Sequence, residues 1–227
     1  MNDDAKMNAA ERAIELVVPG QVVGLGTGST AAFAIQGLGR RVREGLQITG
    51  VPTSKAAEAL ARSLSIPLAD LNEVARVDMI IDGADEVDPN FNMIKGGGGA
   101  LTREKLVGLA SEKGVYVVDE SKLVDRLGSS FAVPVEVLQF GWAVSSKHLR
   151  ELGCEPWLRG DGDAPFLTDN GNYILDCRFD SIADPAQLEK AIKQLPGVVE
   201  SGLFIGIADV VIVGRSNGVE IRERAVQ

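Results

Sequence analysis

Three short segments gather side chains and backbone groups able to hold and work on a small anion, and each follows an apolar run. The first is Gly24-Leu25-Gly26-Thr27-Gly28-Ser29-Thr30. Its glycines permit a tight turn, and its hydroxyls stand where the next helix begins, beside amides that have no partner within that helix. Such a helix start attracts phosphate. The spacing is not the dinucleotide-binding G-x-G-x-x-G, because the third glycine comes one residue early, and no lysine follows Gly28 as a P-loop requires. A purely structural strand-to-helix turn would use the same residues.

The second segment, Asp82-Gly83-Ala84-Asp85-Glu86-Val87-Asp88, begins one residue beyond the apolar run Val77–Ile81. Asp82 and Asp85 flank a Gly-Ala pair, an arrangement that suits proton handling, although Asp and Gly also favour an ordinary acidic turn. The third is Lys95-Gly96-Gly97-Gly98-Gly99-Ala100-Leu101-Thr102-Arg103-Glu104-Lys105. Four consecutive glycines let backbone amides approach a ligand closely, at a high entropic cost of ordering. A flexible linker is the competing use, but a linker is out of place between a core strand and a core helix. Lys95 brings a positive charge to this loop, and Glu104 falls in the first turns of the following helix, where its carboxylate can face a crevice.

These residues need a scaffold, and the spacing supplies one. Asp4 to Val18 carries apolar residues at Ala10, Ala13, Ile14, Val17 and Val18, which predicts a helix that Pro19-Gly20 stops. Gln21–Leu25 reads as a strand and Ala31 to about Val42 as a helix; Leu46–Val51 and Ser54–Leu64 repeat the pair. Val77–Ile81 and Val115–Val118 are further strands. The alternation predicts βαβ units in a Rossmann-like, mainly parallel α/β sheet covered on both faces. In such sheets ligands bind beyond the carboxyl ends of the strands, where all three segments are expected.

From about Phe131 the order becomes strand Val133–Val137, helix Ala143–Leu152, strands near Glu155–Leu158 and Tyr173–Cys177, helix Pro185–Gln194 and strand Val198–Leu203. This βαββαβ order predicts a ferredoxin-like α+β domain. Asp209–Val213 is expected to rejoin the first sheet, so residues 131–205 form an inserted domain and residues 1–130, completed by 206–227, the Rossmann-like one. Gly160–Pro165, with Asp161 and Asp163, reads as a hairpin connection, since it lacks the further acidic ligands of a calcium loop.

Composition narrows the partners. Hydrophobic residues at 45% and charged residues at 24% place the chain among ordinary globular proteins. A net charge of −9 opposes broad attraction to nucleic acid or an anionic membrane, so any anionic ligand is small and locally held. No run approaches the roughly 18 apolar residues of a membrane span, and the start lacks a signal peptide's basic-then-apolar order, which predicts a cytoplasmic protein. Cys154 and Cys177 match no paired metal motif and read as buried thiols. With His148 as the single histidine, taken as an ordinary helical residue, neither a His-rich zinc site nor a Ser-His-Asp triad can be built.

GLGTGST, VPTS, DGADEVD, KGGGGALTREK and DESK, in this order and spacing, resemble the A-type ribose-5-phosphate isomerases, and PVEV, LTDNGNYILD and LPGVVESGLF extend the likeness over essentially the whole chain. The resemblance implies a Rossmann-like domain with a smaller α+β domain, assembled as a homo-oligomer, a dimer or a tetramer. It implies that Thr27, Gly28, Ser29 and Thr30 bind the sugar phosphate, that Asp82, Gly83, Ala84 and Asp85 form a second wall, and that Lys95, Gly96, Gly97 and Gly98 form a third. It further implies Glu104 as the proton acceptor and Lys122 and Lys6 as substrate-binding lysines.

The chemistry fits these residue types on its own terms. Interconverting ribose 5-phosphate and ribulose 5-phosphate requires a base that takes the proton from carbon 2 and returns it to carbon 1 of an enediolate, as the Glu104 carboxylate can. Charge developing on the substrate oxygens calls for a cation, here Lys95, with Asp85 helping to position protons. Ring opening needs an acid or base at the ring oxygen, for which Asp82 is the nearest unassigned carboxylate. No cofactor and no metal is expected. Two other classes compete: a related-core deaminase or CoA-transferase, and a sugar-phosphate-sensing binding module. The isolated His148 disfavours the deaminase, and the lack of a basic recognition helix disfavours a sensor acting on DNA.

Overall fold

The computed structural model describes residues 3–161 and 164–224. In chain order the elements are α1 (Asp3–Ile14), β1 (Val22–Leu25), α2 (Ser29–Arg43), β2 (Thr49–Pro52), α3 (Lys55–Ser63), β3 (Met79–Asp82), β4 (Glu86–Val87), β5 (Met93–Ile94), α4 (Leu101–Ala110) and β6 (Gly114–Asp119). They continue with a 3₁₀ turn (Glu120–Lys122), β7 (Val133–Val137), α5 (Trp142–Glu151), β8 (Cys154–Leu158), β9 (Gly160–Asp161) and β10 (Ala164–Pro165). Then come β11 (Tyr173–Phe179), α6 (Pro185–Lys193), β12 (Val198–Ser201), β13 (Leu203–Phe204), β14 (Val210–Arg215) and β15 (Gly218–Glu223). Two compact units result, one drawn from Met1–Ala84, Arg103–Lys122 and Ile207–Gln227, the other from Asp85–Thr102 and Leu123–Gly206. Residues 85–102 and 123–130, placed with the first domain from sequence, pack with the second unit.

The first unit is built on a six-stranded sheet of order β15-β14-β6-β3-β1-β2. Its strands pair in parallel except for β15, which runs antiparallel beside β14. Strand alternation decides which helix covers which face. Val23, Leu25, Met79, Ile81, Val115, Val117, Val210 and Ile212 join one cluster with Ala9, Ala13 and Ile14 of α1, Ala34, Ile35 and Leu38 of α2 and Ala57 and Ala61 of α3. Ile80 turns to the opposite face and packs with Val107 of α4. The sheet is therefore covered on both sides, and the fold is the Rossmann-like arrangement the alternation predicts.

The second unit carries a four-stranded antiparallel sheet of order β12-β7-β11-β8. Numbered within the βαββαβ run, this order is 4-1-3-2, the ferredoxin-like arrangement. Leu149 of α5 and Ile192 of α6 pack with Val133, Val135, Val137, Leu175 and Cys177. Asp184 caps α6, its side chain accepting from Gln187 N, and Pro185 sits in the first turn, where its missing N–H is no loss. A further three-stranded sheet, β13-β5-β4, was not foreseen from sequence. The Gly160–Pro165 hairpin is seen as β9 paired with β10, while Gly162, Asp163 and the Asp161 side chain lie outside the described residues. Among the described residues, no helix is long and apolar enough to cross a membrane.

Candidate active site

In the first unit the chain runs from β1 to β2 on one side, then crosses back to β3 on the other side of β1. The switch point of the sheet lies between β1 and β3, where open α/β sheets bind ligands. Gly26–Thr30 follows β1 there, and Asp82 closes β3. The two are joined: Gly26 N–H donates to Ile81 O at 3.0 Å, and Thr27 N–H donates to Asp82 Oδ1 at 3.0 Å. Gly83 N–H reaches the same carboxylate oxygen at 2.7 Å. One buried aspartate thus fixes both loops, using Coulombic and hydrogen-bond stabilisation that the sheet core withholds from an unpartnered carboxylate.

Gly28 ends the turn at φ 109°, a conformation that favours glycine, and α2 starts at Ser29. No side chain caps α2, and Ser29 at its start is exposed. Lys6, buried on α1, donates from Nζ to Ser29 Oγ at 2.9 Å. The helix start, a hydroxyl and an ammonium group therefore meet at one place, which is the chemistry of a phosphate site.

Thr27 has partners that the sequence reading did not assign. Its Oγ1 lies 2.7 Å from Thr53 Oγ1 and donates to Ser54 Oγ at 2.8 Å. Ser54 is also the cap of α3, accepting from Ala57 N at 3.0 Å. The available signal was a Thr-Ser pair after the second parallel strand, placed as Gly26–Thr30 is placed after the first.

Glu104 lies in the first turn of α4 and is only 3% exposed. A carboxylate at that place gains from the helix's positive end. Lys122 ends the 3₁₀ turn after β6, on the same edge of the parallel sheet as the end of β3, because Asp82 is in register with Tyr116.

The second unit holds the remaining candidates. Asp85 N–H donates to Ile94 O at 2.8 Å, and Asp85 Oδ2 accepts from Gly97 N–H at 2.8 Å, so Asp85 and the glycine loop are in direct contact. Lys95 is buried, its ammonium 5.5 Å from the centre of the Phe204 ring. Its own N–H donates to Gly202 O at 2.9 Å. Glu86, fully buried, is a structural clasp: its carboxylate accepts from the amides of Gly128, Ser130 and Phe131 at 2.6 to 2.8 Å. Among the described residues, no cluster of three or more His, Cys, Asp or Glu could hold a metal ion.

A Rossmann-like sheet with a glycine turn, hydroxyls and an ammonium group at its switch point, and a buried carboxylate in the first turn of α4, has the features of an enzyme acting on a small anionic metabolite. Comparison with known proteins narrows the class. The family model for ribose 5-phosphate isomerase A (phosphoriboisomerase A) matches residues 49–218. A ribose-5-phosphate isomerase A of Thermosynechococcus vestitus is 55% identical over 222 residues, covering 94% of each chain. The solved ribose 5-phosphate isomerase A of Methanocaldococcus jannaschii superposes with a TM-score of 0.94 at 45% identity, over 99% of this chain and 100% of that one. A D-ribose-5-phosphate isomerase solved in complex with phospho-erythronic acid matches with a TM-score of 0.96 at 44% identity, over 99% and 100% of the two chains. The chain belongs to the ribose 5-phosphate isomerase A family.

Proposed function

We infer that this protein is an aldose–ketose isomerase that interconverts D-ribose 5-phosphate and D-ribulose 5-phosphate. The observation that carries the reading is the match along nearly the whole chain to ribose-5-phosphate isomerases at about half identity. The ligand in one solved relative fits the chemistry, because a phosphorylated aldonic acid places a planar carboxylate where an enediolate would have its two oxygens.

The phosphate is held at Gly26–Thr30 by the first amides of α2, the Ser29 and Thr30 hydroxyls and Lys6. Glu104 takes the carbon 2 proton and returns it to carbon 1; burial keeps the proton it carries from exchanging freely with bulk water. Lys95 stabilises the enediolate oxygens, Asp85 orients hydroxyl protons with the amides of Gly96–Gly98, and Asp82 assists ring opening beside Gly83 and Ala84. Lys122 adds positive charge for the substrate. The reaction moves hydrogen within one molecule, so these groups complete it with neither cofactor nor metal. The protein acts in the cytoplasm as a homo-oligomer, a dimer or a tetramer, on a small sugar phosphate, not on nucleic acid or a membrane.

The test is to incubate the purified protein with ribose 5-phosphate, a chelator and no added cofactor, and to follow ketose formation. Turnover is expected. Binding without turnover would instead favour a sugar-phosphate sensor. Sedimentation of the same preparation reads the oligomeric state.

A further inference from the structure

Arg159 follows β8 in the second unit and makes contacts on three sides. Its Nε and Nη2 donate to the two carboxylate oxygens of Asp176 on β11, at 2.8 and 2.5 Å. Its Nη1 donates to Gly96 O at 2.8 Å and to Gly97 O at 3.2 Å. Its guanidinium lies 5.9 Å from the centre of the Phe166 ring. The pair is largely enclosed, with side-chain exposures of 17% and 10%.

The Gly96–Gly97 peptide has a second partner. A trans peptide directs its C=O and N–H to opposite sides. Here the carbonyl accepts from Arg159 and, across the turn, from the Gly99 N–H at 3.0 Å, while the N–H donates to Asp85 Oδ2 at 2.8 Å. One peptide thus links the guanidinium to the Asp85 carboxylate, and each hydrogen bond polarises the amide in favour of the other. Because the Gly97 carbonyl also turns to Arg159, the Gly98 N–H is directed to the opposite side, beside the Gly97 N–H. Of these two amides, the Gly97 N–H is engaged by the Asp85 carboxylate. A side chain at Gly97 would displace the Asp85 carboxylate, since a Cβ would come within 2.7 Å of Asp85 Oδ1.

We propose that Arg159, held by Asp176, is a positioning residue for the isomerisation: it sets the peptide planes of Gly96–Gly98 and, through the Gly97 amide, the orientation of Asp85. The proposal rests on the assignment of Asp85 and Gly96–Gly98 to the substrate. Arginine is required because one rigid fork must serve a carboxylate and two carbonyls together; a lysine ammonium can keep the ion pair but cannot span all three. A buried ion pair is weak evidence for stability, and its worth here lies in fixing one loop geometry out of the many open to four glycines.

The experiment is a double-mutant cycle on the full chain with R159K, D85N and R159K/D85N, reading kcat/KM for ribose 5-phosphate and the thermal midpoint. Arg159→Lys is expected to lower kcat/KM about tenfold or more in the wild-type background but less than about threefold beside Asp85→Asn, since coupled residues are not additive. Should R159K fold poorly, R159M/D176N, which removes both charges, takes its place in the cycle with the same expectation. An equal loss in both backgrounds would make Arg159 a purely structural residue and overturn the proposal. So would wild-type activity in R159K. If D85N itself turned over normally, the assignment of Asp85 would fall and this proposal with it, whereas an impaired D85N alongside an unimpaired R159K overturns this proposal alone.

Discussion

Thr27 and Asp82 are bound through the Thr27 amide and Asp82 Oδ1 at 3.0 Å, and the same oxygen takes the Gly83 amide at 2.7 Å. Asp82 therefore holds the Gly26–Thr30 turn, in addition to the part in ring opening proposed for it. Asparagine keeps one acceptor oxygen for both amides but loses the charge. Asp82→Asn is expected to keep its urea midpoint close to wild type and to lose about tenfold or more in kcat/KM. Asp82→Ala should lose a further 1–3 kcal/mol or so of stability, because two amides are left without their acceptor. Normal turnover in Asp82→Asn would leave the residue its holding role alone.

The same contact restricts Gly26. A Cβ there would come within 2.3 Å of Asp82 Oδ1 and 2.5 Å of Asp82 Cα, and the latter is backbone that cannot swing aside. Gly26→Ala should destabilise the protein by about 1–3 kcal/mol and depress activity together, as overpacking does. The thermal midpoint and kcat/KM of the purified variant read both effects; a midpoint within a degree of wild type would show that the turn relaxes freely.

Glu104→Gln keeps the shape of the side chain but cannot accept a proton. Turnover should fall by roughly 10²–10⁴-fold, while the dissociation constant of a non-reactive sugar phosphate changes only a few-fold. Exchange of the carbon 2 hydrogen with solvent should fall in step. Near-normal isomerisation would remove Glu104 as the base.

The meeting of Gly26–Thr30 with Asp82 was legible in the sequence because parallel strands align their carboxyl ends, so the residues after β1 and β3 had to meet if the strands were neighbours; the glycine loop, expected beyond the same sheet, instead follows β5, an antiparallel strand of the three-stranded sheet. The ends of elements were less so: the run Val77–Ile81 gave a strand at Met79–Asp82, and Asp82 is strand-terminal, not loop. Hydrophobic periodicity needs several residues to register, so β4, β5 and β13, each two residues long, left no pattern. The same brevity hid the packing of 85–102 with the second unit. The strand predicted at Val198–Leu203 is two strands, β12 and β13, parted by Gly202, where a Cβ would lie 2.4 Å from Lys95 O. Arg159 could not be found from spacing at all, since 63 positions separate it from Gly96 and only the folded sheet brings them together. The Thr53-Ser54 pair was visible as residues but not as partners of Thr27, because side-chain contacts between adjacent strands depend on register.

The two cysteines are buried as expected, and they differ in ionisation. Interaction of the Cys177 S–H, as donor, with the Cys154 sulfur, followed by burial, holds the Cys177 thiol well above its ordinary range, while the same interaction, accepted by Cys154, draws Cys154 down. For Cys177 the folded value lies above the unfolded one, so its contribution to stability is full below about pH 8.5 and is lost as pH rises through the folded value. Iodoacetamide labelling of the native protein at about pH 8, followed by mass spectrometry, should therefore modify Cys154 ahead of Cys177, because only the thiolate reacts. Preferential labelling of Cys177 would reverse the assignment.

Lys95 raises a sharper question, whether its charge serves the transition state or only holds substrate. Its ammonium is buried over the Phe204 ring, and its backbone is pinned to Gly202, so the side chain leaves a fixed point in an enclosed setting. A cation there is already desolvated and strengthens its hold on an oxygen as negative charge builds, which favours the enediolate over the neutral sugar. Lys95→Met keeps most of the packing against Phe204 and removes the charge. If Lys95 acts on the developing oxyanion, kcat and kcat/KM should fall together by about 10²-fold or more while the affinity for a non-reactive neutral-headed sugar phosphate changes little. A phosphorylated aldonic acid should discriminate further: its carboxylate resembles the charged intermediate, so the variant should bind it far more weakly than wild type does, in proportion to the lost kcat/KM. Calorimetry with both ligands beside steady-state kinetics decides the matter. An unchanged kcat with a greatly raised dissociation constant for every sugar phosphate would make Lys95 a phosphate clamp and leave the enediolate to the amides of the glycine loop.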